Sequence, residues 1–191
     1  MVILAPRDQA DFVAMLDWAM APHGFPISIR YPKGSVHLPE FLLPKPIALG
    51  KAQEMFASHE DVREWDVVVL SIGSMVWPSV GAVRSLMEPF PDKKVCLVDL
   101  RFAKPLDMAL LARLLPHTKH VVVIEEGVQI GGVYAYMMVT CAELLSIPVS
   151  HCHAIGIADV FVEHGKVSSQ KKWVGLDQAS LVARLKSIYE Q

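Results

Sequence analysis

The sequence predicts an α/β fold in which a doubly wound, mostly parallel sheet follows a partial βαβ unit and a proline-rich linker. Three observations support this prediction. Strand and helix patterns alternate along most of the chain, which is typical of parallel sheets with crossover helices. Several strand patterns are almost continuously apolar, as expected for strands that helices cover on both faces. A proline-dense segment without periodicity separates a short N-terminal part from the rest.

The N-terminal part has the pattern strand, helix, strand. Residues 1–4 are apolar, and Pro6 closes this strand. Asp8 is a credible N-cap for a helix whose apolar residues recur at helical spacing until Pro22. Residues 27–30 form the second strand, because prolines before and after them favour extended backbone. One βαβ unit cannot bury both faces of a parallel sheet, so residues 1–34 are predicted to be the last unit of a longer domain.

Residues 35–49 are predicted to be a stiff interdomain linker, and residues 50–191 have the pattern of a complete α/β domain. In the latter we expect an edge strand at 48–56 that enters a hairpin, strands at 65–72, 95–100, 120–124 and 148–155, and helices at 74–87, 107–115, 131–145 and 177–189. Asp107 and Asp177 stand where two of these helices need N-caps.

Composition excludes several classes of protein. With 52% hydrophobic and 20% charged residues, the 191-residue chain can fill a sizeable core. A net charge of −2 without a polybasic region argues against a nucleic-acid or anionic-membrane partner. No apolar run approaches the ~20 residues that span a bilayer, and the first cation follows the N-terminal apolar run, the wrong order for a signal peptide. The three cysteines have neither disulfide nor zinc spacing, so we expect a reducing, cytoplasmic location.

Arg30 is the first candidate site residue. It lies at the carboxyl end of a predicted strand, the edge at which open α/β sheets bind ligands. Together with Lys33 and Gly34 it offers a guanidinium, an ammonium and an accessible backbone to a phosphate or carboxylate. On spacing alone, the alternative is that Arg30 pairs with a nearby carboxylate and Lys33 is solvated.

Two acidic residues and three glycines form a second group. Glu125 and Glu126 have the chemistry to bind a metal or act as acid and base, but neighbours on a strand point to opposite faces, which argues against joint catalysis. The spacing of Gly127, Gly131 and Gly132 matches neither a P-loop nor a dinucleotide fingerprint. Close packing of a helix on the sheet is the simpler interpretation of these glycines.

Two other motifs predict no chemistry. His151, Cys152 and His153 resemble a metal cluster, but only the two histidines share one face of a strand and no third ligand is near in sequence, so we predict no metal site. Ser71 and Ser74 lack the context of a nucleophile elbow. We therefore assign no catalytic residue from these patterns.

The charged residues between Asp99 and Asp107 lie between a strand end and a helix start. We interpret them as an ion-paired corner that fixes the turn, with a role in an active site as the alternative.

Five stretches together carry a family resemblance. They are Met1-Val-Ile-Leu-Ala-Pro-Arg-Asp, Ile29-Arg-Tyr-Pro-Lys-Gly, Val98-Asp-Leu-Arg-Phe-Ala-Lys-Pro-Leu-Asp, Val123-Ile-Glu-Glu-Gly with Gly131-Gly132, and Gly156-Ile-Ala-Asp-Val-Phe-Val-Glu-His-Gly. Over its whole length the chain resembles the C-terminal part of the 1-deoxy-D-xylulose-5-phosphate synthase family. The charged corner and Glu-Glu-Gly are shared with other transketolase-like enzymes, whereas the Arg-Tyr-Pro-Lys-Gly segment and the Asp-Val-Phe-Val-Glu-His-Gly ending point to the synthase.

This resemblance implies an anatomy. Family members carry a cofactor-diphosphate domain, a pyrimidine-binding domain and a C-terminal transketolase domain, and work as homodimers. Residues 1–34 would be the last βαβ unit of a truncated pyrimidine-binding domain, and residues 50–191 a transketolase C-terminal-like domain. Full-length members use thiamine diphosphate and Mg to decarboxylate pyruvate and transfer two carbons to D-glyceraldehyde 3-phosphate. The catalytic and cofactor-binding residues have no counterpart here, so no cofactor is expected to bind this chain alone.

Of the substrate-binding residues that the resemblance implies, Arg30 alone falls inside the chain. It would hold the phosphate of glyceraldehyde 3-phosphate, with Lys33, where the family often has arginine, as a second candidate. A charged contact of this kind contributes about 1.5–3 kcal/mol.

Two hypotheses from different classes follow. In the first, the chain is the C-terminal part of the synthase. Full-length members of the family are enzymes, but this chain is expected to be inactive alone. In the second, it is a non-catalytic module that mediates dimerisation or docks on a separately encoded partner, as one half of a split transketolase-like enzyme. A β subunit of a 2-oxo-acid dehydrogenase is a weaker third reading, because it would contain a whole pyrimidine-binding domain.

Overall fold

The computed structural model of the protein describes residues 1–32, 46–59, 64–145 and 151–190. Lys33 and most of the predicted linker lie outside these ranges. The described strands are β1 (Val2–Leu4), β2 (Ile27–Ile29), β3 (Gln53–Ala57), β4 (Trp65–Ser71), β5 (Val95–Asp99), β6 (Phe102–Lys104), β7 (Thr118–Val128) and β8 (Cys152–Ile157). The described helices are α1 (Gln9–Met20), α2 (Val76–Met87), α3 (Met108–Leu114), α4 (Val133–Leu145), α5 (Val167–Val174) and α6 (Gln178–Tyr189). None of these helices is long and apolar enough to cross a membrane.

A five-stranded sheet of order β3-β5-β4-β7-β8 forms the centre of the molecule. β5, β4, β7 and β8 are parallel, and β3 runs antiparallel at one edge. Alternate residues of the central strands pack on α3 and α4 on one face and on α2 and α6 on the other. The predicted doubly wound, mostly parallel sheet is therefore confirmed. Asp8, Asp107 and Asp177 accept hydrogen bonds from the first turns of their helices, as their N-cap positions predict.

Three local predictions were wrong or incomplete. The edge strand β3 forms no hairpin with β4; it pairs with β5, because β4 already has parallel neighbours on both sides. The short strand β6 was predicted only as part of a charged corner. Helix α5 was missed because none of its residues is buried, so it carries no apolar stripe to reveal it.

The N-terminal unit β1-α1-β2 shares a sheet with a strand from later in the chain. β1 pairs in parallel with β2 and antiparallel with β6, giving a three-stranded sheet of order β2-β1-β6. Val2, Leu4, Met15 and Phe102 form its buried core. Strand β1 therefore pairs with β6 on the side away from β2, a pairing that the sequence patterns did not predict. This pairing joins the N-terminal unit to the larger part of the molecule.

Five buried charges, here called the charge cluster, lie at this junction. The Arg7 guanidinium nitrogens lie 3.2 Å from a carboxylate oxygen of Asp8, 3.5 Å from one of Asp11 and 2.8 Å from one of Asp99. Arg101 contacts Asp11 at 2.6 Å, and all five side chains are at most 1% exposed. Arg7, Asp8 and Asp11 come from the N-terminal unit, whereas Asp99 ends β5 and Arg101 follows it. The interpretation of an ion-paired corner is confirmed, with partners from a distant part of the sequence.

The charge cluster contains three carboxylates but only two guanidinium groups. Burial, and then repulsion from the Asp11 carboxylate, raise the pKa of Asp99 to about 7, although Arg7 opposes this shift. Arg101 adopts a left-handed backbone with φ of 56°, which is rare for a residue with a side chain. Its amide donates to Asp99 and its guanidinium to Asp11, so the hydrogen bonds of the cluster hold this backbone in place.

Replacing Arg101 by methionine is expected to lower the free energy of unfolding by about 3–5 kcal/mol, because Asp11 would stay buried without one of its cations. Urea denaturation measures this change. The matched control is Arg113→Met, which breaks an exposed pair with Glu54 and should cost at most about 1 kcal/mol. Equal losses in the two variants would contradict a structural role for the charge cluster.

Candidate functional site

A cleft of about 130 Å³ opens where the carboxyl ends of strands from both sheets meet. Arg30 follows β2, Ser74 follows β4, and Glu126 lies near the end of β7. The lining residues are Ala5, Arg30, Tyr31, Pro32, Ile72, Gly73, Ser74, Glu125 and Glu126. Since one water needs ~10–15 Å³ of such space, the cleft has room for a group of several non-hydrogen atoms.

Arg30 reaches the cleft because its backbone continues the pairing of β1 and β2. Its amide donates to the carbonyl of Leu4 at 2.8 Å, and its side chain is exposed. The predicted position at the carboxyl edge of a sheet is therefore observed. Lys33, the second candidate for anion contact, lies outside the described residues.

Gly73 lets the two sheets approach each other at the floor of the cleft. Its φ of 59° is left-handed, and an added Cβ would lie 3.2 Å from the Cβ of Ala5. A side chain at this position would be strained and would press on the end of β1.

Glu126 is the most densely contacted charged group of the cleft. Its Oε2 accepts a hydrogen bond from Ser74 Oγ at 2.6 Å and an ion pair from Lys171 Nζ at 3.0 Å. Burial alone would raise the pKa of Glu126, but the hydrogen bonds from Ser74 and Lys171 and the charges of Lys171 and Arg30 lower it below its usual value. Glu126 is therefore an anion that contacts one hydroxyl and one cation, Lys171, and is further stabilised by the charge of Arg30.

Glu125 has a different task, as expected for a neighbour on the opposite face of a strand. Its buried carboxylate accepts hydrogen bonds from the amides of Val133 at 3.0 Å and Tyr134 at 2.9 Å. It thereby satisfies the free amides at the start of α4. A Cβ on Gly132 would lie 2.6 Å from Glu125 Oε1. The interpretation of the glycines as close packing, rather than as a phosphate cradle, is confirmed at this position.

The other motifs lie away from the cleft lining. His153 Nε2 lies 3.3 Å from His120 Nδ1, and burial and neighbouring histidines lower the pKa of both rings. Over the described ranges, no three His, Cys, Asp or Glu side chains converge in a way that would hold a metal ion. Ser71 is buried and accepts from Ser79 Oγ at 3.0 Å, which gives it a structural contact.

Sequence patterns did not find the contact between Glu126 and Lys171. Lys171 belongs to the polar helix α5, which had not been predicted, and it follows Glu126 by many residues. No spacing rule links a strand end to such a helix. Only the three-dimensional packing of α5 beside the carboxyl edge of the sheet brings them together.

Comparison with known proteins identifies a family and relatives of this chain. A family model described as "Transketolase, C-terminal domain" matches residues 58–181. A 1-deoxy-D-xylulose-5-phosphate synthase of Brevibacillus brevis is 35% identical over 192 residues, covering 98% of this chain and 29% of the relative. The enzyme of the same name from Heliobacterium modesticaldum is 35% identical, covering 97% of this chain and 27% of the relative.

A solved structure described as "Split gene transketolase, inactive beta4 tetramer" has the same fold. It superposes with a TM-score of 0.80 at 24% identity and covers 100% of this chain and 58% of that chain. The chain thus spans less than a third of the length of these two curated relatives and somewhat more than half of the solved structure.

Replacing Glu125 by alanine should destabilise the protein by about 2–3 kcal/mol, because two backbone amides at the start of α4 would lose a charged acceptor. Thermal and urea unfolding would measure the loss. Glu143→Ala removes an exposed carboxylate from the same helix and should change stability by at most about 0.5 kcal/mol. A Glu125→Ala variant as stable as this control would rule out the capping role.

Proposed function

This chain belongs to the transketolase C-terminal domain family, and we propose that it forms the C-terminal part of a 1-deoxy-D-xylulose-5-phosphate synthase. In that enzyme, pyruvate is decarboxylated and its remaining two carbons are joined to D-glyceraldehyde 3-phosphate. The task we assign to this chain is to hold the phosphate of the second substrate through Arg30.

One observation carries the assignment of Arg30. Arg30 lines a cleft formed by the carboxyl ends of strands from both sheets, and Ser74 lines the same cleft. A guanidinium suits a phosphate because its N–H groups match the geometry of two phosphate oxygens. The similarity to synthases over 97–98% of the chain, which includes Arg30, supports the same assignment.

Thiamine diphosphate and Mg do not fit the described residues. A diphosphate and its metal need several carboxylate or carbonyl ligands around the ion and donors around the phosphates. The two carboxylates of the cleft already have partners. Glu125 accepts hydrogen bonds from the amides at the start of α4, and Glu126 is paired with Lys171. We therefore assign no residue of this chain to the cofactor and propose that parts of the enzyme outside this chain bind it.

Those parts can stand on the same polypeptide or on a separately encoded partner. The second arrangement would make this chain one half of a split enzyme, with docking and dimerisation as its own contribution. We further propose that the assembled enzyme is a homodimer and lies in the cytoplasm, for which the three buried free cysteines are suited.

The proposal is tested with a chimera in which this chain replaces the matching C-terminal region of the Brevibacillus brevis relative. We expect the chimera to form the xylulose phosphate product from pyruvate and glyceraldehyde 3-phosphate, whereas this chain alone should form none. Arg30→Gln should lower kcat/KM for glyceraldehyde 3-phosphate about 10- to 100-fold, the equivalent of one charged contact. Mixing the two parts as separate polypeptides tests the split arrangement.

The control is Arg84→Gln, an exposed arginine on α2 that is not among the cleft residues. It should leave kcat/KM unchanged. A folded chimera that binds thiamine diphosphate but yields no product would contradict the proposed activity, and equal effects of the two arginine substitutions would contradict the assignment of Arg30.

A further inference from the structure

Glu126 lies near a hydroxyl and two cations that come from three separate parts of the chain. Ser74 follows β4, Lys171 belongs to α5, and Arg30 follows β2. The hydroxyl and the ammonium both contact Oε2 of Glu126, at 2.6 Å and 3.0 Å. Arg30 lines the same cleft. A hydroxyl and an ammonium that contact one carboxylate oxygen, with a guanidinium lining the same cleft, form a donor set that also suits a phosphate.

The two cations would repel each other if no anion lay near them. A carboxylate that neutralises one of them keeps such a pair together while the cleft holds no ligand. Glu126 satisfies this need, because its lowered pKa keeps it ionised at neutral pH. The carboxylate is also able to leave: its side chain is 36% exposed, and that of Lys171 is 26% exposed, so both have solvent to move into.

We propose that the cleft is a two-cation anion site in which Lys171 is the second phosphate-binding cation and Glu126 is an internal anion that the phosphate displaces. This inference rests on the proposed function, since it concerns the phosphate that Arg30 binds. It adds a residue from α5 to the site and a carboxylate that competes with the substrate.

A purely structural role for Glu126 predicts the opposite sign. If the carboxylate only anchors α5 to the sheet, its removal would loosen Lys171 and weaken anion binding. If it competes with the anion, loss of its charge would strengthen anion binding. Glutamine keeps the shape of the side chain and an acceptor for Ser74, so Glu126→Gln separates charge from packing.

The test is a titration of the purified chain with inorganic phosphate at constant ionic strength, followed by the amide NMR shifts of Gly73 and Ser74. Glu126→Gln should bind phosphate about fivefold more tightly than the wild type, and Lys171→Met about fivefold more weakly, as expected for one partly exposed charge. Lys172→Met, on an exposed neighbour in α5, and Glu143→Gln, on α4, are the matched controls and should change nothing. Glu126→Ala repeats the loss of charge in case glutamine is poorly tolerated.

The outcomes separate this inference from the proposed function. Weaker or unchanged binding in both Glu126 variants, or unchanged binding in Lys171→Met, would overturn the inference while Arg30→Gln still weakens binding. Unchanged binding in Arg30→Gln would count against the proposed function itself. Absence of phosphate binding in the wild type and in Glu126→Gln would overturn the inference as well.

Discussion

The buried charge cluster is the interaction on which the rest of the structure depends. Removing charges from water is costly, and only close ion pairs and hydrogen bonds offset that cost. Here Arg7 and Asp11 from the N-terminal unit contact Asp99 at the end of β5 and Arg101 just after it, with contacts as short as 2.6 Å. If the N-terminal unit separated from the end of β5, buried charges on both sides would lose their partners. The cluster therefore fixes where β1, α1 and β2 lie relative to the five-stranded sheet.

That position determines the geometry of the cleft. Because β1 pairs with β6 and its following residue Ala5 packs beside Gly73, the end of β2 is brought to the carboxyl edge of β4 and β7. Arg30 belongs to one sheet, and Ser74 and Glu126 belong to the other. The proposed phosphate contact is thus a property of the junction between the two sheets.

Much of the fold could be predicted from local patterns, and much of the site could not. Apolar runs such as 65–72 and 95–100 revealed the buried strands, and Asp8, Asp107 and Asp177 revealed helix starts, because these signals are local. The strand β6 is short and lies in a charged corner, and α5 buries no residue, so neither carries a local signal. Arg30 could be proposed from its place after a strand, but the contact of Lys171 with Glu126 depends on packing between distant elements.

Hydrogen exchange of individual amides tests most directly whether the charge cluster holds the N-terminal unit in place. The amides of Val2, Ala5 and Arg30 donate to Pro26, Arg101 and Leu4, so they report on the N-terminal unit and its junction. In the wild type they should be protected nearly as well as those of β4 and β7. In Arg101→Met they should lose much more protection than β4 and β7, because the unit would open separately. If they stay as protected as the central strands in that variant, the charge cluster does not hold the unit, and the account is wrong.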